Sequence, residues 1–285
     1  MTDFNKLKKC LDQLFNHYDT RYLDTDPVGI VHRYSSPEDR EVAGFVVSAL
    51  AYGGAVQIRK NAERVLLPTG LSPADFARKL TLERSLEIFK NFKYRWTDGC
   101  DIAYLFWILG RIIEKNGSIG TFVKSLDNPR DKTIAGVMTK LSEWIRVRYS
   151  DEFRHNSKRS GISYLVPSPA NGSACKRLAM YFRWMVRGDD GVDFKLWKFI
   201  TPSRLVIPVD RHIARMGRLL GLTTRRSVDW KMALEITDSL RLLDPHDPVR
   251  YDFALVRPGI LGKCTYTAHG DCRFCALCDV CMEVS

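Results

Sequence analysis

The chain is expected to fold as an almost entirely α-helical protein, and three observations carry that expectation. Apolar residues recur at helical spacing along most of its length, while two-residue alternation is scarce. Segment after segment opens on a capping residue or a proline. The connections are mostly short and contain Gly, Pro, Asn or Asp. No internal repeat or low-complexity stretch interrupts this pattern.

Phe4, Leu7, Leu11, Leu14, Phe15 and Tyr18 give a first amphipathic helix, and an Asp-rich turn from Asp19 to Pro27 follows. Ser36 can cap the next helix, with Pro37 at its first position and Asp39 three residues after the cap. That helix, Arg40 to Tyr52, is nearly all apolar, so burial on most faces is expected. Gly53-Gly54 ends it. Helical patterns then cover Ile58 to Leu67, Ser72 to Leu80, Thr81 to Phe92, Cys100 to Lys115, Ile119 to Leu126 and Ile134 to Arg148. Tyr149 to Ser173 is the longest irregular part, basic at Arg154, His155, Lys158 and Arg159, then hydrophobic from Tyr164 to Pro167.

The segment Ala174 to Arg187 places Leu178, Phe182 and Met185 on one helical face and Lys176, Arg183 and Arg187 on another. Asn171-Gly172-Ser173 supplies turn and capping residues before it. Gly188-Asp189-Asp190-Gly191 is a linker into a mixed segment, Phe194 to Pro208. Asp210 is placed to N-cap the next helix, with Ile213, Met216, Leu219 and Leu220 as its buried stripe and Gly221 at its C-terminal end. Arg211, Arg215 and Arg218 form a basic stripe. Trp230 to Leu243 is a further helix begun by Ser227 or Asp229, Asp244 to Pro248 is a stop-and-restart signal, and Val249 to Ile260 leads into a cysteine-rich tail. Trp184 and Trp197 read as core.

A net charge of +11 points to a polyanionic partner, most simply nucleic acid. No apolar run of about 18 residues suits a membrane span, and Met1 to Asn5 does not begin a signal peptide. The expected compartment is therefore the cytoplasm, where eight cysteines do not make a disulfide framework. Five of them, Cys264, Cys272, Cys275, Cys278 and Cys281, lie in the last 22 residues, separated by seven, two, two and two positions. Four clustered thiolates suit either Zn(Cys)₄ or an iron–sulfur cluster, and spacing does not choose between them. A loop pinned in this way would hold Lys263 and Arg273 on a DNA-binding surface.

Taken together, these pieces resemble the endonuclease III branch of the helix-hairpin-helix DNA glycosylases. Val209 to Arg215, followed by Leu220-Gly221-Leu222, looks like that family's aspartate motif. Gly172-Ser173-Ala174-Cys175-Lys176 resembles the end of its hairpin, where a catalytic lysine stands four residues after a glycine. The tail looks like its iron–sulfur loop, whose intervals are six, two and five. Cys264, Cys272, Cys275 and Cys281 give seven, two and five, leaving Cys278 spare. Ser36-Pro37 with Val47-Ser48-Ala49-Leu50 is a weaker match, with Leu50 as an apolar wedge in place of a glutamine. Three departures mark a divergent branch. The hairpin reads Pro167-Ser168-Pro169 before Ala170-Asn171-Gly172. Ala174 replaces a second glycine. The interval from Lys176 to Asp210 is long, which implies an insertion around 188–199 that lines the cleft or contacts DNA.

The resemblance implies two helical domains flanking a DNA-binding cleft. Residues 30–199 would form a barrel-like domain ending in the hairpin. Residues 1–29 and 200–285 would form the second, with a 4Fe-4S cluster (or zinc) in the loop at 264–281. It implies a monomeric bifunctional glycosylase/AP lyase, nucleoid-associated, acting on double-stranded DNA with a damaged base or abasic site. A target nucleotide would flip into the cleft. Asp210 would stabilise oxocarbenium charge, and Lys176, with its pKa lowered by burial near Arg183, would form a Schiff base and nick the strand by β-elimination. Gly172 and Ser173 would bind a phosphate in the hairpin, and Arg211 and Arg215 are further DNA contacts. The alternatives are a non-catalytic or monofunctional nucleic-acid-binding protein, and an enzyme acting on nucleosides in RNA.

Overall fold

The computed structural model describes residues 3–152, 161–267 and 270–281, and it is predominantly α-helical, as the periodicity predicts. Helix α1 spans Phe4–His17, with the Asp3 carboxylate accepting from the backbone of Asn5 and Lys6 at 3.0 and 3.1 Å. The Asp-rich turn contains a 3₁₀ turn, Thr20–Thr25, and a short helix α2, Val28–Val31. Helix α3, Pro37–Ala49, starts as expected: Ser36 Oγ accepts from Asp39 N at 3.1 Å. Every residue from Glu41 to Ala49 is buried, which is why this helix has no polar face.

Helices α4 (Ala55–Leu66), α5 (Pro73–Lys79) and α6 (Leu82–Phe89) lead into a two-stranded hairpin, β1 (Lys93–Tyr94) and β2 (Thr97–Asp98). Asp98 and Asp101 then form a reciprocal capping box on α7, Gly99–Asn116. Helices α8 (Ile119–Leu126), α9 (Ala135–Glu152) and α10 (Gly161–Leu165) follow. The site is built by α11 (Lys176–Val186) and α12 (Arg211–Leu219), and the chain continues through α13 (Trp230–Arg241) and α14 (Asp252–Ile260). Helix α7 lies against α5, α6 and α8; α3 against α2, α5 and α11; and α14 against both α1 and α12. The buried apolar side chains form one continuous core.

Two buried polar arrangements hold α11 in place. Within the apolar α3, the Glu41 carboxylate accepts from Ile119 N (2.9 Å), Gly120 N (3.0 Å) and Trp197 Nε1 (2.7 Å). It caps α8 from outside and fixes Trp197. The chain after α11 then folds back along it. Phe194, Lys195 and Trp197 donate their backbone N–H groups to the carbonyls of Trp184, Arg187 and Met185 at 2.8–2.9 Å. The 188–199 segment satisfies the open carbonyl end of α11, and none of its residues is among those lining the cleft. Trp184 and Trp197 are both core residues, as expected. Among the described residues no helix is long and apolar enough to cross a membrane.

Candidate active-site cleft

Lys176 is presented by an unusual helix start. A 3₁₀ turn at Pro169–Asn171 ends on Gly172, whose φ of +73° suits glycine, and Trp230 N donates to Gly172 O at 3.2 Å. Ser173 Oγ accepts from Cys175 N at 3.2 Å. Ser173 is therefore committed to the turn and does not cap α11, contrary to the sequence reading. Cys175 is the residue before the helix and sits at φ +49°, a left-handed conformation uncommon for a residue with a Cβ. It offers no side-chain cap, so the positive end of α11 stays open beside Lys176. Burial pushes the Cys175 thiol up to about 11.

Asp210 performs the expected capping role. Its Oδ1 accepts from His212 N at 2.8 Å and Ile213 N at 3.0 Å. Its Oδ2 lies 3.3 Å from Lys176 Nζ, and that ammonium also reaches Ala51 O at 3.4 Å. Two residues thirty-four positions apart, each at a helix start, thus meet directly. Burial opposes ionisation of Asp210, but the Lys176 charge and the capping N–H groups outweigh it. They hold the carboxyl below the usual carboxylate range. Both side chains keep some exposure, 28% for Lys176 and 21% for Asp210, so a ligand can reach the pair.

The pair faces a cleft of about 810 Å³. Six Arg or Lys residues and three Asp line it, so positive charge exceeds negative in its lining. Arg183 bonds Asp252 and, at 3.0 Å, Asp193, while Arg257 bonds Asp26 and, at 2.8 Å, Thr25 Oγ1. Burial disfavours the Arg183 charge, and the surrounding carboxylates of Asp193, Asp252 and Asp26 overcome it. The cationic field expected from Arg183 on Lys176 is therefore neutralised locally by carboxylates.

His212 follows Asp210 and bonds Tyr266 through its Nδ1, so it is a satisfied polar group. A Cβ on Gly259 would fall 1.8 Å from the Tyr266 hydroxyl and 2.6 Å from His212 Nδ1, so only glycine allows that close approach. The Arg215 guanidinium lies 5.2 Å from the Tyr266 ring centroid. Tyr266 stands between Cys264 and Cys272, so this contact ties the cysteine loop to the start of α12. Arg211 and Arg215 are exposed, and Arg211 lines the cleft. Gly172 and Ser173 are exposed beside it. Leu50, expected as an apolar wedge, is 0% exposed: it closes the core under α3 and presents nothing to a duplex.

Cys264, Cys272, Cys275, Cys278 and Cys281 all line one small apolar cavity of about 30 Å³, walled by residues including Met216, Leu219, Pro258 and Leu277. Cys275 Sγ accepts from Leu277 N at 3.4 Å. Burial raises the Cys275 thiol, and the neighbouring Cys264, Cys272 and Cys281 push the same way. Among the described residues no group of three or more His, Cys, Asp or Glu is placed to hold a metal ion. Lys263 and Arg273 are exposed on this loop, as is Phe274 (77%), with Arg273 over its ring at 4.8 Å.

Sequence reasoning missed Tyr52, Arg95 and Arg177, which also line the cleft. Gly53-Gly54, read only as a helix stop, lines it too and marked a place where backbone borders open space.

No curated protein and no solved structure matches the chain. The resemblance to the endonuclease III branch is overturned, because the family model that matches over most of the chain belongs to a different family. The motifs behind that resemblance were short. An aspartate opening an amphipathic helix, and a glycine turn before another, are also what helix capping alone requires. Residues 26–261 match the model described as "Protein of unknown function (DUF2400)", and the chain belongs to that family.

Proposed function

We propose that the chain is a DNA base-excision enzyme, a bifunctional glycosylase/AP lyase that uses Lys176 as nucleophile and Asp210 as electrostatic partner. The observation that carries this reading is the 3.3 Å contact between Lys176 Nζ and Asp210 Oδ2 in a large cleft with more positive than negative charge in its lining. In duplex DNA the C1′ of a stacked nucleotide is out of reach, so the substrate enters flipped. As the base departs, positive charge builds on the sugar and Asp210, held ionised, stabilises it. Lys176, an ammonium while it faces Asp210, gives one proton to the departing base and attacks C1′ with the amine so freed. The sugar opens to an iminium as the adduct nitrogen passes a proton to O4′; the C2′ proton then goes to solvent, the 3′ phosphate is expelled, which nicks the strand, and water hydrolyses the iminium to free Lys176. Affinity comes from phosphate contacts by Arg211, Arg215, Lys263 and Arg273, with the open turn at Gly172 and Ser173 beside them, and it weakens as salt rises.

In this reading the cleft separates a helical domain of residues 30–199 from a second one built from 1–29 and 200–285. The protein acts as a monomer on nucleoid DNA in the cytoplasm. Cys264, Cys272, Cys275 and Cys281 would hold a 4Fe-4S cluster, or zinc in its place, with Cys278 spare. The soft donors converging on one apolar cavity, and the crowding of Cys275 by the other three, support that set. Its contribution would be structural, pinning the loop that carries Lys263 and Arg273.

A non-catalytic nucleic-acid-binding protein is the second reading, because Lys176 and Asp210 satisfy each other as a structural ion pair would. Borohydride trapping on an abasic duplex, with wild type and Lys176→Ala side by side, separates the two. The expected result is a covalent adduct that disappears in the variant. Tight binding by the wild type without an adduct would refute the lyase reading.

A further inference from the structure

The hairpin β1–β2 carries Arg95 and Trp96 at its turn, and both are exposed. Trp96 is 57% exposed, an unusual position for the largest apolar side chain. A single exposed apolar residue needs no explanation in itself. Here, however, the residue is held on a rigid mount. The Tyr52 hydroxyl bonds Tyr94 O at 3.1 Å and Thr97 Oγ1 at 2.7 Å, and the Tyr94 hydroxyl donates back to Tyr52 O. The Tyr52 and Tyr94 rings stack with centroids 4.7 Å apart. The indole of Trp96 backs onto Tyr164 at 5.1 Å and Tyr52 at 6.3 Å. Arg177 braces this cluster from below, 4.1 Å from the Tyr164 centroid.

The mount is continuous with the cleft. Tyr52 follows Ala51, whose carbonyl meets Lys176, and Arg177 follows Lys176 on α11. Arg95 lines the cleft, and its guanidinium lies 5.7 Å from the Trp96 centroid. An exposed planar ring, fixed in orientation and flanked by a cation at the rim of a basic cleft, matches a ligand with a flat π face next to an anion. A nucleotide has both features. Base–aromatic stacking is tolerant of base identity because every base offers a π face.

We propose that Trp96 is a base-stacking platform at the mouth of the cleft: its indole takes a nucleobase of the bound strand, and Arg95 takes the adjoining phosphate. This rests on the reading that the cleft receives nucleic acid. The partner is DNA rather than a protein surface, because the exposed aromatic patch is a single ring with a cation beside it.

The test uses the full chain and a short duplex carrying a stable abasic analogue, with Trp96→Ala, Trp96→Phe and Arg95→Ala. Binding is followed by anisotropy and by tryptophan fluorescence, and trapping is run in parallel on a true abasic duplex. Trp96→Ala is expected to weaken Kd by about 5- to 140-fold, the range for loss of one base–aromatic stack. Trp96→Phe is expected to recover most of that loss. Wild-type fluorescence is expected to be quenched on binding, and the quench to be missing in Trp96→Phe. Equal melting temperatures for the variants and wild type would exclude a folding defect. Wild-type affinity in Trp96→Ala, with wild-type trapping intact, would overturn this proposal and leave the lyase reading standing. A wild-type protein that neither binds nor traps would remove both.

Discussion

Asp210 performs two tasks with two oxygens, and substitution separates them. Oδ1 caps α12 through the N–H groups of His212 and Ile213, while Oδ2 faces Lys176. Asn keeps a capping acceptor and removes the charge; Ala removes both. Loss of the cap costs about 1 kcal/mol, and loss of a partly exposed ion pair about 0.5–1 kcal/mol more. Asp210→Ala is therefore expected to lower Tm by about 3–6 °C, and Asp210→Asn by about 2 °C, at the shift per kcal/mol seen for chains near this size. The sign of the pH dependence follows from the direction of the shift. Asp210 is held below its ordinary pKa when folded. Its stabilisation is therefore complete above the unfolded value of about 3.9. It is lost as pH falls through the lower folded value. The Tm gap between wild type and Asp210→Ala should stay constant from about pH 7 to 5 and close below about 4. Both variants are expected to release the base from the lesion duplex that the wild type cleaves about 10²- to 10³-fold more slowly, the usual effect of deleting one preorganised electrostatic group; an abasic duplex has no base to lose, so trapping on it is expected to change less. Thermal melts by circular dichroism and single-turnover base release read the two halves. Asp210→Asn melting as low as Asp210→Ala would refute the capping account. Asp210→Asn releasing the base at the wild-type rate would refute the electrostatic one.

Two further outcomes follow from buried groups. Arg183→Leu leaves Asp252 without its cation and Asp193 with Arg187 alone, and is expected to destabilise by about 3–5 kcal/mol in a thermal melt, with partial recovery in Arg183→Leu/Asp252→Asn. In the cysteine tail, serine at any one of positions 264, 272, 275 or 281 should abolish metal content by elemental analysis, whereas Cys278→Ser should keep it; equal loss at all five would refute the ligand set.

The helical class was legible because its signals are local. Ser36, Asp98 and Asp210 cap where capping residues stand before apolar periodicity, and the nearly apolar α3 is buried around its whole circumference. Asp210 could be read as a cap and Lys176 as a helix start, but their meeting depends on how α11 and α12 are placed, which no local pattern encodes. The hairpin escaped notice because each strand has two residues and its turn carries Arg95 at φ +53° with no Gly or Asn to signal it. Helices α2 and α10, four and five residues long, are too short for a period to emerge. Leu50 was misjudged because its rank in a motif says nothing of its exposure. Gly188-Asp189-Asp190-Gly191 reads as a linker, yet Asp190 pairs with Arg187, and Asp193 just beyond it pairs with both Arg187 and Arg183.

The packing of α1 on α14 has a consequence for synthesis. The Tyr251 hydroxyl bonds Asp12 Oδ1 at 2.6 Å across 239 positions of chain, and Arg257 pairs with Asp26 across 231. Leu7, Leu11 and Leu14 are made early, but the helix that covers them leaves the ribosome late. At about 5–20 residues per second, that stripe stays uncovered for roughly 10–50 s on every nascent chain. A greasy helix exposed for that long is a natural holding point for a ribosome-associated chaperone, and the yield of folded protein should depend on such help more than its final stability suggests.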